Sequence, residues 1–162
     1  DGAAKADIAR LTWDGDILAE RRPPVLDLAG IEVALPPGAF LQATKAGEET
    51  MVAMVTEALR GSGSVIDLFA GCGTFSLALA GTHKVHAVEG AKAQCAALEL
   101  AVRRQGPRVG LKPLEVERRD LARRPLRPDE LNSYDAAVID PPRAGAAGIC
   151  HPSGPIPLVA PY

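Results

Sequence analysis

Cysteine is scarce in this chain. Three thiols, Cys72, Cys95 and Cys150, occur in 162 residues, with no Cys-x-x-Cys pair and no metal-ligand spacing. That excludes a disulfide framework and points to a reducing, cytoplasmic compartment. Long apolar runs are missing as well. None reaches the roughly 18 residues that a transmembrane helix needs, and no secretory leader is visible, so no membrane partner is expected. Nor is there a charge of one sign. Eighteen Lys and Arg stand against 20 Asp and Glu, a net charge of −2, so the molecule as a whole does not advertise a polyanion partner. The chain does not begin with Met and is expected to start within a larger gene product.

What is present suffices for one domain with a small appendage: 47% of residues are hydrophobic. The cations are unevenly spread. Arg103, Arg104, Arg108, Lys112, Arg118, Arg119, Arg123, Arg124 and Arg127 are nine of the 18. They read either as a solvated face with helix C-terminal cations or as an RNA backbone footprint. Residues 8–35 read as two β-hairpins, turning at Asp14-Gly15 and Ala29-Gly30 and separated by Pro23-Pro24. After Phe40-Leu41-Gln42, a helix is expected from Ala46 to Arg60. Its apolar stripe is Met51, Met54, Val55, Ala58 and Leu59, with both methionines as core filler.

Val65-Ile66-Asp67-Leu68 reads as a buried strand running into a glycine turn and a helix, Phe75 to Ala80. Gly71 and Gly73 let the backbone turn sharply and approach a ligand, and the helix start offers free N–H groups. Further strands are expected at Lys84 to Val88, Leu114 to Arg118 and Tyr134 to Ile139. A helix from Ala91 to Gln105 is expected to stop at Gly106-Pro107. Alternation of strand and helix gives an α/β class with a parallel sheet. Such sheets bind ligands beyond the C-terminal ends of their strands. Asp67 lies in the first strand just before the glycine turn. Glu89, Asp120 and Asp140 end the second, third and fourth. Glu89 falls about 20 residues beyond the turn, where an acid can accept from the ribose hydroxyls of an adenosine cofactor. A dinucleotide fingerprint needs a third glycine where Ser76 stands, so the turn suits a cofactor without phosphates, S-adenosylmethionine, better than a pyrophosphate.

Phe40-Leu41-Gln42, Asp67-Leu68-Phe69-Ala70-Gly71-Cys72-Gly73-Thr74, Val88-Glu89-Gly90 and Asp140-Pro141-Pro142-Arg143-Ala144-Gly145 occur in this order and spacing. Here the sequence resembles the RNA (uracil-5-)-methyltransferases, which make 5-methyluridine in ribosomal and transfer RNA, over residues 8–148. The resemblance implies a Rossmann-like class I methyltransferase core (strands one to four), with an N-terminal β-hairpin section. The implied divisions are 1–39, 40–148 and a divergent tail, 149–162. S-adenosyl-L-methionine is the implied cofactor, its pocket lined by Gln42, Phe69, Thr74, Glu89, Asp120 and Asp140. Glu89 would take the ribose hydroxyls and Asp120 the adenine amino group. Asp140 and the rigid Pro141-Pro142 would hold the methionine end. Phe40 and Arg143 would face the RNA, or else be a core aromatic and a surface cation.

The family's chemistry also needs a cysteine that adds to uracil C6 and a glutamate that removes the C5 proton. That cysteine belongs to a Ser-Cys-Asn-Pro segment, which is absent here. Cys150 stands only ten residues past Asp140, too near for a helix and a strand to intervene, and its neighbour His151 is poorly placed to pair with it. The catalytic residues are therefore expected to lie beyond the matching region. The departure begins near Ile149, and the Pro-rich end to Tyr162 reads as irregular, truncated or frame-altered. Without a fifth strand, Ala136 to Ile139 is expected to form an apolar edge, leaving a monomeric or aggregation-prone chain with weak RNA affinity. The competing readings are a non-catalytic adenosine-cofactor module, an amino-group methyltransferase and a dinucleotide oxidoreductase. Arg143, standing where an amino-group methyltransferase would need an aromatic, argues against that reading, and the glycine turn argues against the dinucleotide oxidoreductase.

Overall fold

The computed structural model describes residues 6–14 and 16–141 together with the backbone of 158–159. Two hairpins come first. β1 (Arg10–Trp13) pairs antiparallel with β2 (Asp16–Glu20), and β3 (Val25–Leu28) with β4 (Ile31–Ala34). The second turn holds Ala29 at φ 53° and Gly30 at φ 81°, the paired left-handed residues of a two-residue hairpin turn. Asp27 Oδ1 accepts from the Gly30 N–H at 2.9 Å. The side chain of Arg10 donates to the Leu35 carbonyl, tying the first hairpin to the end of the second.

Helix α1 (Lys45–Ala58) is capped by Thr44, whose hydroxyl accepts from Gly47 N, and carries Glu48 in its first turn, where the helix dipole favours an anion. Of the expected stripe, Val55 and Leu59 are fully buried, and Met51 packs partly. Met54 departs from the reading. It is 67% exposed, because the buried face of α1 is narrower than the apolar pattern.

A five-stranded parallel sheet follows: β5 (Ser64–Leu68), β6 (Lys84–Glu89), β7 (Leu114–Arg118), β8 (Ala136–Ile139) and β9 (Leu158–Val159), in the order β7-β6-β5-β8-β9. Side chains alternate across it. Val65, Val85, Ala136 and Val138 face α1 and α2 (Thr74–Ala80). Ala87 lies on the same side with Leu98 and Ala101 of α3 (Lys92–Val109) and with Leu28, Ile31 and Val33 of the second hairpin. The other face, Ile66, Leu68, Val88 and Ala137, is covered by Leu121, Leu126 and Leu131. These belong to the β7–β8 connection, which contains the short α4 (Pro128–Leu131).

Two expectations give way. Helix α3 does not stop at Gly106-Pro107 but runs to Val109 and ends on Gly110, at φ 72°. Pro107 sits in the last turn, where its missing N–H forgoes one intrahelical bond, and the Gly110 and Leu111 N–H groups both close onto the Gly106 carbonyl. β8, expected as a bare edge, is paired at Ala137 and Val138 by Leu158 and Val159 of the Pro-rich tail. Arg143, Cys150 and His151 lie outside the described residues.

The tightest joint is Gly73. It caps α2 at φ 97°, and a Cβ there would lie 2.5 Å from Leu98 Cδ1. Gly73→Ala is expected to lower unfolding free energy by about 2–4 kcal/mol in urea titration, from backbone strain plus overpacking. Gly110→Ala, whose Cβ would meet nothing within 4 Å, should lose only the backbone part, about 1 kcal/mol. Equal losses would show that the Leu98 contact contributes nothing.

Candidate functional site

The C-terminal ends of β5, β6, β7 and β8 converge on the glycine turn. Leaving β5, the chain reverses at Phe69, which adopts φ 65°, a left-handed conformation unusual for a residue with a Cβ. The N–H groups of Phe69 and Ala70 both donate to the Val88 carbonyl, at 2.9 and 3.1 Å. Gly71, at φ 59°, continues the turn, and the Gly73 N–H closes it on the Ala70 carbonyl at 2.8 Å.

Glu89 joins this turn to the next strand end. Its Oε2 accepts from Gly71 N at 2.9 Å and its Oε1 from Ala91 N at 2.7 Å. Its carbonyl accepts from Arg119 N at 2.8 Å, which sets Asp120 beside it. A Cβ on Gly90 would lie 3.6 Å from Asp120 Cα. Asp120 is exposed, and its Oδ1 accepts from the N–H groups of Ala122 and Arg123. Asp140 is half-buried at the end of β8, where its N–H donates to the Leu68 carbonyl at 3.3 Å.

Asp67 lies beneath the turn, with no exposed surface. On β5 it shares the helix-covered face, and Ser76 Oγ of α2 donates to its Oδ2 at 2.5 Å. This is the use of the serine that stands where a dinucleotide fingerprint has glycine. Oδ1 is buried without a partner. Burial pushes the Asp67 carboxyl up to about 7, the Ser76 bond opposes this, and the charges of Asp140 and Glu89 add to it. The structure thus gathers Asp67, Phe69, Gly71, Gly73, Glu89, Asp120 and Asp140 at one edge of the sheet.

Thr74 opens α2 and lines a cleft of about 310 Å³ with Asp27, Lys45, Glu48 and Glu49. Gln42 is half-buried just before α1. Phe40 is 76% exposed, so it is not a core aromatic. Sequence reasoning did not foresee Ser76 as the partner of Asp67, the α1 acids beside Thr74, or the burial of Arg119. The Asp67–Ser76 pair was accessible as a strand acid and a helix hydroxyl one turn past the glycines. Nothing local distinguishes Arg119 from its cationic neighbours.

Both described thiols have raised proton affinity. Burial, then the charge of Glu89, pushes Cys72 up to about 11, and burial likewise raises Cys95, whose Sγ donates to the Glu89 carbonyl. Part of the basic stretch pairs within the chain, mostly at exposed positions. Arg124 pairs with Glu117, Arg127 with Asp129, and Arg123 with Asp120. Lys112 donates to the Thr82 carbonyl. No described helix is long and apolar enough to cross a membrane.

The parallel order with a glycine turn after its central strand is the Rossmann-like fold of S-adenosylmethionine-dependent methyltransferases. The chain superposes on the Pyrococcus abyssi tRNA (uracil-54, C5)-methyltransferase, solved with S-adenosyl-L-homocysteine, with a TM-score of 0.64 at 22% identity over 84% of this chain and 33% of that one. An Agrobacterium tumefaciens S-adenosylmethionine-dependent methyltransferase gives a TM-score of 0.58 at 19% identity over 88% and 49%. No protein-family model matches. Among curated sequences, an uncharacterized RNA methyltransferase of Brucella suis is 51% identical over 88% of this chain and 34% of its own length. One of Rhizobium meliloti is 47% identical over 89% and 34%. The 23S rRNA (uracil(1939)-C(5))-methyltransferase of Chromohalobacter salexigens is 35% identical over 78% and 26%. These sequences make the chain a relative of bacterial RNA methyltransferases, and it spans about a third of their length.

The raised carboxyl of Asp67 has a thermodynamic sign. The folded state keeps this proton to about pH 7, whereas the unfolded chain releases it near 3.8. Between those values the folded state binds more protons, so this group's contribution to stability falls as pH rises and levels off above about 7. Asp67→Asn should remove that slope. In thermal melts its midpoint is expected to rise relative to wild type between pH 5 and pH 8. A constant difference across that range would show an ordinary carboxylate.

Proposed function

We propose that the chain is the cofactor-binding core of an S-adenosylmethionine-dependent RNA methyltransferase that forms 5-methyluridine. The observation that carries the cofactor reading is the Glu89 carboxylate on the Gly71 N–H. A dinucleotide's pyrophosphate would need that donor and would meet a carboxylate in its place. The acids Glu89, Asp120 and Asp140 instead suit a ligand that brings hydroxyls, an amino group and a positive sulfonium.

In this reading Glu89 holds the ribose hydroxyls and Asp120 the exocyclic amino group of the adenine. Asp140 and Gln42 border the methionine end, Phe69 lies against the cofactor, and Thr74 opens the helix beneath it. S-adenosylmethionine supplies a methyl group bound to a sulfonium. RNA as the methyl acceptor, and uracil C5 as the atom, follow from the relatives' names. Exposed Phe40 borders the RNA side, and RNA affinity in this chain is weak.

The state of the thiols favours a second reading, a cofactor-binding module without turnover of its own. Cys72 stays protonated at neutral pH, and Cys95 is raised as well, so neither described cysteine is an activated nucleophile. Methyl incorporation into unmodified ribosomal or transfer RNA separates the two readings.

Calorimetry tests the cofactor assignment. S-adenosylhomocysteine should bind and NAD should not, and tight NAD binding alone would overturn it. Glu89→Ala is expected to weaken S-adenosylhomocysteine by roughly 1.5–3 kcal/mol, the scale of hydrogen bonds to a charged group. Unchanged affinity would remove Glu89 from the ribose site.

A further inference from the structure

Arg119 is the one cation of the basic stretch that is buried, at 7% exposure. It immediately precedes Asp120, and its guanidinium makes four hydrogen bonds. Nε donates to the Arg124 carbonyl at 2.8 Å, and Nη2 donates to the Pro125 carbonyl at 2.7 Å. Nη1 and Nη2 grip Glu130 Oε1 and Oε2 at 2.6 and 3.1 Å. That bidentate grip is the strong, geometrically specific form of the pair. It holds Glu130 down at about 2, with a further bond from Arg127 N. Four of the five Arg119 donors are thus spent within the connection, and the remaining one, on Nη1, lies on the side of Glu117 Oε1 at 3.7 Å.

The segment it binds is the one that orients Asp120. Asp120 Oδ1 accepts from Ala122 and Arg123, and the Asp120 carbonyl accepts from Arg124 N at 2.8 Å. The carbonyl of that same Arg124 is held by Arg119. The turn is therefore closed at both ends: by the Arg119 N–H on the Glu89 carbonyl, and by the Arg119 guanidinium on residues 124, 125 and 130. Only Asp120 Oδ2 is left facing outward, 3.6 Å from the exposed Arg123. An exposed aspartate on an unclamped, Arg-rich loop would sample many orientations and read a base edge poorly.

We propose that Arg119 is a positioning residue, which fixes the 120–124 turn so that the Asp120 carboxylate meets the cofactor's exocyclic amino group, and thereby sets the preference for adenine over a base carrying a carbonyl at that position. The inference rests on the cofactor reading above. Its signature is selectivity rather than affinity. A base with a carbonyl in place of the amino group turns an attraction to Asp120 into a repulsion, while the ribose and methionine contacts are untouched.

The test is calorimetric titration of the protein with S-adenosylhomocysteine and with S-inosylhomocysteine. Wild type is expected to prefer the adenosyl ligand by about 10- to 100-fold, the range of one hydrogen bond to a charged acceptor. Arg119→Lys keeps the charge but cannot span three partners. Its preference should fall to about threefold or less, with inosyl affinity within twofold of wild type. Glu130→Gln loosens the clamp from its far side and should lower the preference in the same direction by a smaller factor. It decides the matter if Arg119→Lys does not fold. Unchanged selectivity in both variants, or a proportionate loss of both ligands, overturns the proposal and leaves Arg119 a structural residue. If wild type binds neither ligand or does not discriminate, the cofactor reading itself fails.

Discussion

One carboxylate holds the site together. Glu89 receives the Gly71 N–H from the turn after β5 and the Ala91 N–H that opens the way into α3, while its carbonyl takes the Arg119 N–H after β7. Three strand ends are thereby fixed relative to one another by a single residue. A bond from a charged acceptor to a main-chain N–H is among the stronger ones available to a protein, and here two fall on one side chain. The rest follows: where Asp120 stands, how closely the turn passes α3, and why an anion is unwelcome at a glycine turn that elsewhere would attract one.

Beneath that edge the sheet is ordinary, and its ordinariness is useful. After Ser64, apolar residues fill both faces of β5 except at Asp67, whose carboxyl is sealed against Ser76. The pairing explains why a helix hydroxyl stands where a phosphate-binding fingerprint would have glycine. Burial, against the opposing Ser76 bond, raises the proton affinity of Asp67 and leaves its Oδ1 without a partner below the turn. The second hairpin belongs to this core through Leu28, Ile31 and Val33. Gln105 reinforces the contact by donating to the Glu32 carbonyl and accepting from its N–H.

Much of this was legible in the sequence because local patterns and global fold agree. Strand and helix periods alternate, glycines stand where φ must be positive, and acids fall at successive strand ends. What was not legible depends on partners far along the chain. Pairing of Leu158–Val159 with β8 is a tertiary event between residues set among prolines. The extra turn of α3 past Pro107 depends on how Gly110 closes it. Met54 follows the helix period yet meets solvent, because no described element covers that part of α1. Arg119 and Arg123 read alike as letters. Only the folded connection shows that one is enclosed by carbonyls and Glu130 while the other is exposed.

Phe69 has a consequence of its own. Holding a side-chain-bearing residue in the left-handed region costs about 1 kcal/mol, and the Val88 carbonyl, shared by two N–H donors, maintains it. A conformation that the surrounding scaffold already enforces does not have to be organised by whatever binds there. The turn is a rigid mould rather than a closing hand, so little ordering entropy is subtracted from the contacts a ligand makes with it. Differences in affinity among related ligands at this edge should then report the atoms that touch, with little contribution from rearrangement of the loop.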